Sequence, residues 1–172
     1  DDESEIYLPF GVALPIEQMD ESLVTVWLPW GDWGKCVLPS KKSFENKVEH
    51  LIVNARKFNG VQYQWGGIST FGCDCSGFVQ TIFKSVGIEL PRDSHKQFDK
   101  TQKIDINVAV SGDLLFFAEN DKIDHVAISL GESQIIHCSG FVKEESLNSS
   151  NSDFNAKLMS KFYAAMSVKG LR

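Results

Sequence analysis

Cys73-Asp74-Cys75-Ser76-Gly77-Phe78-Val79, continued by Ile82, Phe83 and Val86, sets a cysteine at the point where a helix begins. The apolar residues at 78, 79, 82, 83 and 86 repeat with the period of a helix buried on one face, and Gly87 stands where a left-handed C-terminal cap belongs. Cys75 therefore falls in the first turn, with Asp74 before it as a candidate N-cap. A free thiol ionises at about pH 8.5, and a helix N-terminus together with a nearby imidazolium favours the thiolate, which is the attacking species. Gly66, Gly67 and Gly77 let the backbone close in on the sulfur, and amides at the helix start can donate to a developing oxyanion. Taken alone, Cys75 reads more readily as a buried core thiol than as a nucleophile, because free cysteine is among the most buried residue types.

Two histidines downstream change that balance. His125 opens the apolar run His125-Val126-Ala127-Ile128, and His137 ends Ile135-Ile136-His137, with Gly131-Glu132 between them as a turn. In an antiparallel hairpin the two would be cross-strand neighbours within about one residue, sharing a face only if the loop has odd length or the strand bulges. A nucleophile, a base and a third group that orients the base make up the logic of a catalytic triad. His125 would take the thiol proton, and His137 would hold its ring through the other nitrogen. A histidine in the third place is expected to stabilise the imidazolium less than a carboxylate would.

Outward from this centre, the apolar stripe Phe44, Val48, Leu51, Ile52, Ala55 and Phe58 predicts a helix capped by Ser43 and ended by Asn59-Gly60, with His50 on its solvated side. A short polar helix is predicted over Ser94 to Lys100. Strands are predicted over Asp113 to Ala118, His125 to Leu130, Gln134 to Cys138 and Phe162 to Val168, with a surface loop from Leu147 to Asn155. Two helices followed by strands joined by short turns indicate an α+β domain with segregated layers and an antiparallel sheet. Residues 1–40 are rich in Trp, Pro and Gly, with Val24-Thr25-Val26-Trp27-Leu28 alternating as a strand and a turn leading through Gly31 to Val37 into another. The division expected is a β segment over 1–40 and the main domain over 41–172.

Composition narrows the function classes. With 172 residues, 42% hydrophobic and 23% charged, the chain has the make-up of one folded domain with a small appendage. A net charge of -6 with scattered Lys and Arg argues against nucleic acid as a partner. No apolar run approaches the roughly 20 residues of a membrane span. The acidic start gives no secretory address, so a cytoplasmic location is expected; the missing initiator Met leaves room for an upstream signal that has been removed, in which case a periplasmic or secreted location is expected. The four cysteines, at 36, 73, 75 and 138, are too few for a disulfide framework in a chain this long, and their spacing departs from that of zinc ligands. Neither a metal nor any other cofactor is expected. Cys73 and Cys138 read as packing thiols close enough to Cys75 to raise the question of a disulfide with it, and Cys36 reads as core. Trp27, Trp30 and Trp33 read as packing at strand edges.

Tyr63-Gln64-Trp65-Gly66-Gly67, Asp74-Cys75-Ser76-Gly77-Phe78-Val79, Leu90-Pro91-Arg92, Gly112-Asp113-Leu114-Leu115-Phe116-Phe117, His125-Val126-Ala127-Ile128 and Ile136-His137, in this order, resemble the NlpC family of cell-wall cysteine peptidases in the papain-like superfamily. The 1–40 segment resembles the last strands of the SH3-like domain that one subgroup of that family carries. The resemblance implies a papain-like fold with N-terminal helices packed on an antiparallel sheet, preceded by a short or partial SH3-like β segment. It assigns Cys75 as nucleophile, His125 as base, His137 as third residue and Tyr63 to the oxyanion region. In the subgroup, Asp74, Ser76 and Ser94 would bind a free substrate amine. That implies a peptidase acting on γ-D-glutamyl-diamino acid bonds in peptidoglycan stem peptides or murein fragments, working as a monomer and releasing a dipeptide. A non-catalytic wall-fragment binding module, or an amidase or acyltransferase on the same scaffold, are the alternatives.

Overall fold

The computed structural model describes residues 5–37 and 46–172. The chain divides into two compact units, Asp1–Glu45 and Asn46–Arg172. In the first, β1 (Ile16–Asp20), β2 (Leu23–Trp27) and β3 (Trp33–Val37) form an antiparallel sheet in that order, compatible with an SH3-like β segment. The alternation read over 24–28 holds: Val24 and Val26 are buried with Leu28, and Leu14 and Cys36 pack against them. Cys36 is only partly buried. Trp27 and Trp33 face each other across β2 and β3 and meet edge to face at 4.6 Å. Strand β1 lacked a sequence signal because all five of its residues are exposed.

The second unit opens with α1 (Lys47–Arg56). Its cap is Asn46, whose side chain accepts from the Glu49 amide at 3.1 Å; Ser43, the cap expected from sequence, and Phe44 lie outside the described residues. Leu51, Ala55 and Phe58 are fully buried, the last in the turn beyond the helix. A small hairpin, β4 (Ile68–Ser69) and β5 (Gly72–Cys73), leads into α2 (Cys75–Lys84), then α3 (Ser94–Asp99) and β6 (Gln102–Ile104). Gly87 takes φ +79 after α2, the left-handed position its sequence context called for. The remaining elements are β7 (Leu114–Glu119), β8 (Lys122–Gly131), β9 (Gln134–Ser139), β10 (Phe141–Ser146), α4 (Ala156–Met159) and β11 (Phe162–Ser167).

These strands form one antiparallel sheet in the order β10-β9-β8-β7-β11-β6. Register assigns its faces. Leu114, Phe116, Val126, Ile128, Ile136 and Cys138 share one face, and Cys138 touches Cys73 at the foot of α2, so this is the face that α2 covers. Phe78, Ile82 and Phe83 of α2 are fully buried, and Phe58 packs on Phe78 with ring centroids 5.6 Å apart. The other face carries a second core of Leu115, Phe117, Ala127, Ile135 and Ala165 under Leu158 and Met159. Leu114-Leu115-Phe116-Phe117 is thus apolar throughout because both faces are buried, each side chain contributing about 1.5–3 kcal/mol. Asp113, fully buried at the head of this strand, accepts from the Val110 amide at 2.9 Å and pairs with Arg172.

Strand β8 is irregular in two places. Against β7 its partners step from His125 to Ile123, leaving Asp124 as an extra residue, and against β9 they step from Ser129 to Gly131, leaving Leu130. Such bulges bend a strand and re-aim its side chains.

Candidate active site

Cys75 is the first residue of α2, and Asp74 is its N-cap. One carboxylate oxygen of Asp74 accepts from the Gly77 amide at 2.7 Å and the other from the Gly66 amide at 2.9 Å. Arg92 grips the same carboxylate with both terminal nitrogens and donates to the Ser76 hydroxyl at 3.0 Å. Burial pushes the Asp74 carboxyl up, but the bonds from Arg92, Gly77 and Gly66 outweigh it and hold the group below the ordinary carboxylate range. Gly77 is required for steric reasons: a Cβ there would lie 2.2 Å from the Gly67 carbonyl oxygen and 3.0 Å from Asp74 Oδ1.

The Cys75 thiol is 8% exposed and lies against the backbone of β8, 3.9 Å from the Asp124 carbonyl oxygen. Burial, and next the charge of Asp74, push the thiol up to about 11, although the amides of Val126 and Ser76 work the other way. The expectation of a lowered thiol is therefore corrected. The carboxylate that caps the helix sits beside the sulfur and opposes the helix dipole there.

His125 Nε2 lies 2.7 Å from His137 Nδ1, with the rings nearly perpendicular at 78°. The bulge at Leu130 makes this contact. The register Ile128 to Ile136 and Ser129 to Ile135, extended along β8, puts His137 opposite Ala127, two positions from His125 on the same face. Without the extra residue the two rings would point to opposite faces. The histidines are diagonal neighbours, further apart along the strand than the single residue expected from sequence. His125 is pushed down to about 3, by burial first and by His137 second, and burial lowers His137 as well.

His137 has a further partner that the sequence did not reveal. His137 Nε2 lies 2.8 Å from Glu145 Oε2 on β10. That oxygen also accepts from Asn155 Nδ2 at 2.7 Å, and Lys143 pairs with the other oxygen at 2.9 Å. The only sequence signal was the turn-like Ser139-Gly140 ahead of Phe141 to Ser146, a strand too polar to stand out.

Among the described residues no hydrogen bond joins Cys75 to His125; the sulfur meets the backbone on either side of that residue. Tyr63 is 38% exposed, close enough to Cys75 and Asp74 for burial and their charges to raise its phenol. Ser76 is buried in the Asp74–Arg92 cluster, and Ser94 is the half-buried first residue of α3. The Cys73 and Cys138 thiols are 3.7 Å from each other, both fully buried. No cluster of three or more metal-ligating side chains is assembled among the described residues. A cleft of about 280 Å³ opens beside His125 and His137, walled in part by Asp124, Asn155, Lys157 and Lys161.

Residues 60–164, carrying Cys75, both histidines and Glu145, match the model of the NlpC/P60 family. The chain belongs to that family. It is 34% identical over 142 residues to a gamma-D-glutamyl-L-lysine dipeptidyl-peptidase of Bacillus subtilis (strain 168), covering 78% of this chain and 47% of that protein. It is 42% identical over 93 residues to a protein of the same name from Bacillus cereus (strain ATCC 10987 / NRS 248), covering 52% of this chain and 28% of that one. The crystal structure of an NlpC/P60 family protein from Bacillus cereus superposes with a TM-score of 0.67 at 30% identity, covering 90% of this chain and 53% of that chain. This NlpC/P60 chain thus spans about half or less of the length of the curated dipeptidyl-peptidases it matches.

Proposed function

We propose that this chain is a cysteine peptidase that hydrolyses the bond between γ-D-glutamate and a diamino acid in bacterial peptidoglycan stem peptides, releasing L-Ala-γ-D-Glu from a free N-terminus. The observation that carries the reading is the hydrogen-bonded pair His125–His137 on adjacent strands, with the Cys75 thiol, at the first position of a helix, against the backbone on either side of His125. The names of the curated relatives supply the bond.

Sulfur and imidazole are both neutral at rest, so the thiol proton passes to His125 as the sulfur attacks the carbonyl, and not before. The tetrahedral oxyanion is met by amides at the start of α2 and by the Tyr63 hydroxyl. His125 then returns the proton to the leaving amine, and the acyl-thioester is hydrolysed by water activated at the same ring. Proton transfer from the thiol requires the His125 ring to meet the Cys75 sulfur in the substrate complex, because in this structure the sulfur touches the backbone on either side of His125 and not its ring. On the acyl side, Asp74 is already engaged by Arg92, so a substrate ammonium would share that carboxylate and take the Ser76 and Ser94 hydroxyls as further acceptors.

Incubation with L-Ala-γ-D-Glu-L-Lys should release the dipeptide, read by product mass. Cys75→Ala should abolish release, and N-acetylation of the substrate should suppress it strongly. Equal turnover by Cys75→Ala would sink the mechanism; equal cleavage of the acetylated peptide would sink only the requirement for a free amine.

A further inference from the structure

We infer that Glu145 is a positioning residue of this site: its carboxylate, on the strand beyond His137, fixes the tautomers of both histidines so that Nδ1 of His125 is left as the basic nitrogen. The inference rests on the catalytic reading above and adds to it a fourth residue that touches neither substrate nor nucleophile.

The argument is one of donors and acceptors. Glu145 takes bonds from Asn155, Lys143 and His137; these outweigh the upward push of burial and hold its carboxyl below the ordinary range. An ionised carboxylate can only accept. His137 must therefore carry its proton on Nε2, the atom 2.8 Å from Glu145 Oε2. A neutral imidazole has one N–H, so Nδ1 of His137 is an acceptor, and across the 2.7 Å contact His125 Nε2 must be the donor. The remaining nitrogen of His125, Nδ1, then holds a lone pair. Had Glu145 been an N–H donor, each step would reverse and the proton would sit on His125 Nδ1, where it would block uptake of a second one.

The sheet gives the relay its geometry. Glu145 pairs with Ile135 and Lys143 with His137, so Glu145, His137 and His125 run diagonally across β10, β9 and β8, each two positions out of register with the next. Asn155, from the loop before α4, holds the carboxylate from outside. The charge of Glu145 also favours the imidazolium that forms at His125 during transfer, while Lys161 opposes it. A histidine in the third position therefore does not leave the base without a carboxylate; it places one a ring further away.

Two measurements test this. In protein with 15N-labelled histidine, two-bond nitrogen–proton couplings at pH 7.5 should show both His125 and His137 as Nε2–H tautomers; a protonated Nδ1 on neutral His125 would overturn the inference. For Glu145→Gln, which keeps the shape and removes the charge, kcat should fall roughly tenfold to a hundredfold with KM unchanged, and the acid limb of kcat/KM should move down by roughly half to one pH unit. A variant with wild-type kcat and an unmoved limb would overturn it, as would a loss confined to melting temperature. The spectrum needs no substrate, so it decides the positioning role even if Cys75-dependent turnover, and with it the functional reading, fails.

Discussion

The depression of His125 to about 3 has a consequence for the folded state as well as for catalysis. An unfolded histidine titrates at about 6.5, so between about 6.5 and 3 the unfolded chain binds a proton that the folded chain refuses. Stability from this residue is complete above the unfolded value and is lost as pH falls toward the folded one. Melting temperature should therefore drop more steeply between pH 6.5 and 4 for the wild type than for His125→Gln; parallel curves would show that His125 is not held neutral. Cys75, His125 and His137 could be singled out in the sequence from local context, a helix start and two histidines in apolar runs on either side of a turn, although β8 begins three residues before His125 and β9 runs two beyond His137. Glu145 and Arg92 were not. Their partners are 8 and 18 residues away and are reached only through strand register and loop path. Arg92 was visible as a motif residue, but that it would occupy both oxygens of Asp74 is a fact of packing.

Among elements, strands with an apolar alternation or a continuous apolar run were readable, as was α2 with its cap residues. Those at the margins were not: β10 (Phe-Val-Lys-Glu-Glu-Ser) and β6 are edge strands of the six-stranded sheet, and their polar residues give no period to read. The start of α2 is the element on which the site depends most, because the cap, the thiol and the grip of Arg92 all meet within four residues. Gly77→Ala should show it. The new methyl group would press on the Gly67 carbonyl and on Asp74, neither a flexible side-chain end, so the cap must open. A loss of roughly 1–3 kcal/mol in urea unfolding is expected, with turnover reduced in the fraction that remains folded. An alanine variant with an unchanged urea midpoint would show that the loop over the helix yields easily.

For the molecule as a whole, the helices-on-sheet architecture followed from the order of periodicities along the chain. What sequence could not give was the pair of bulges in β8, since one extra residue leaves no compositional mark yet decides which way every later side chain points. The unit Asn46–Arg172 contains both faces of its sheet with a core on each, whereas the first unit offers three short strands around Val24, Val26 and Leu28. A fragment of residues 46–172 should therefore fold by itself, with a single cooperative thermal transition and dispersed amide resonances; three strands alone are marginal in water. A fragment without a cooperative transition would show that the first unit is needed to complete the fold.

The neutral state of Cys75 also bears on its durability. Peroxide and other soft electrophiles react with sulfur as thiolate, and oxidation to sulfenic acid follows thiolate character and access. A sulfur held near 11 and 8% exposed offers little of either. In the mechanism proposed above, such a sulfur is a poor target for oxidants at rest and ionises only as it attacks a substrate carbonyl.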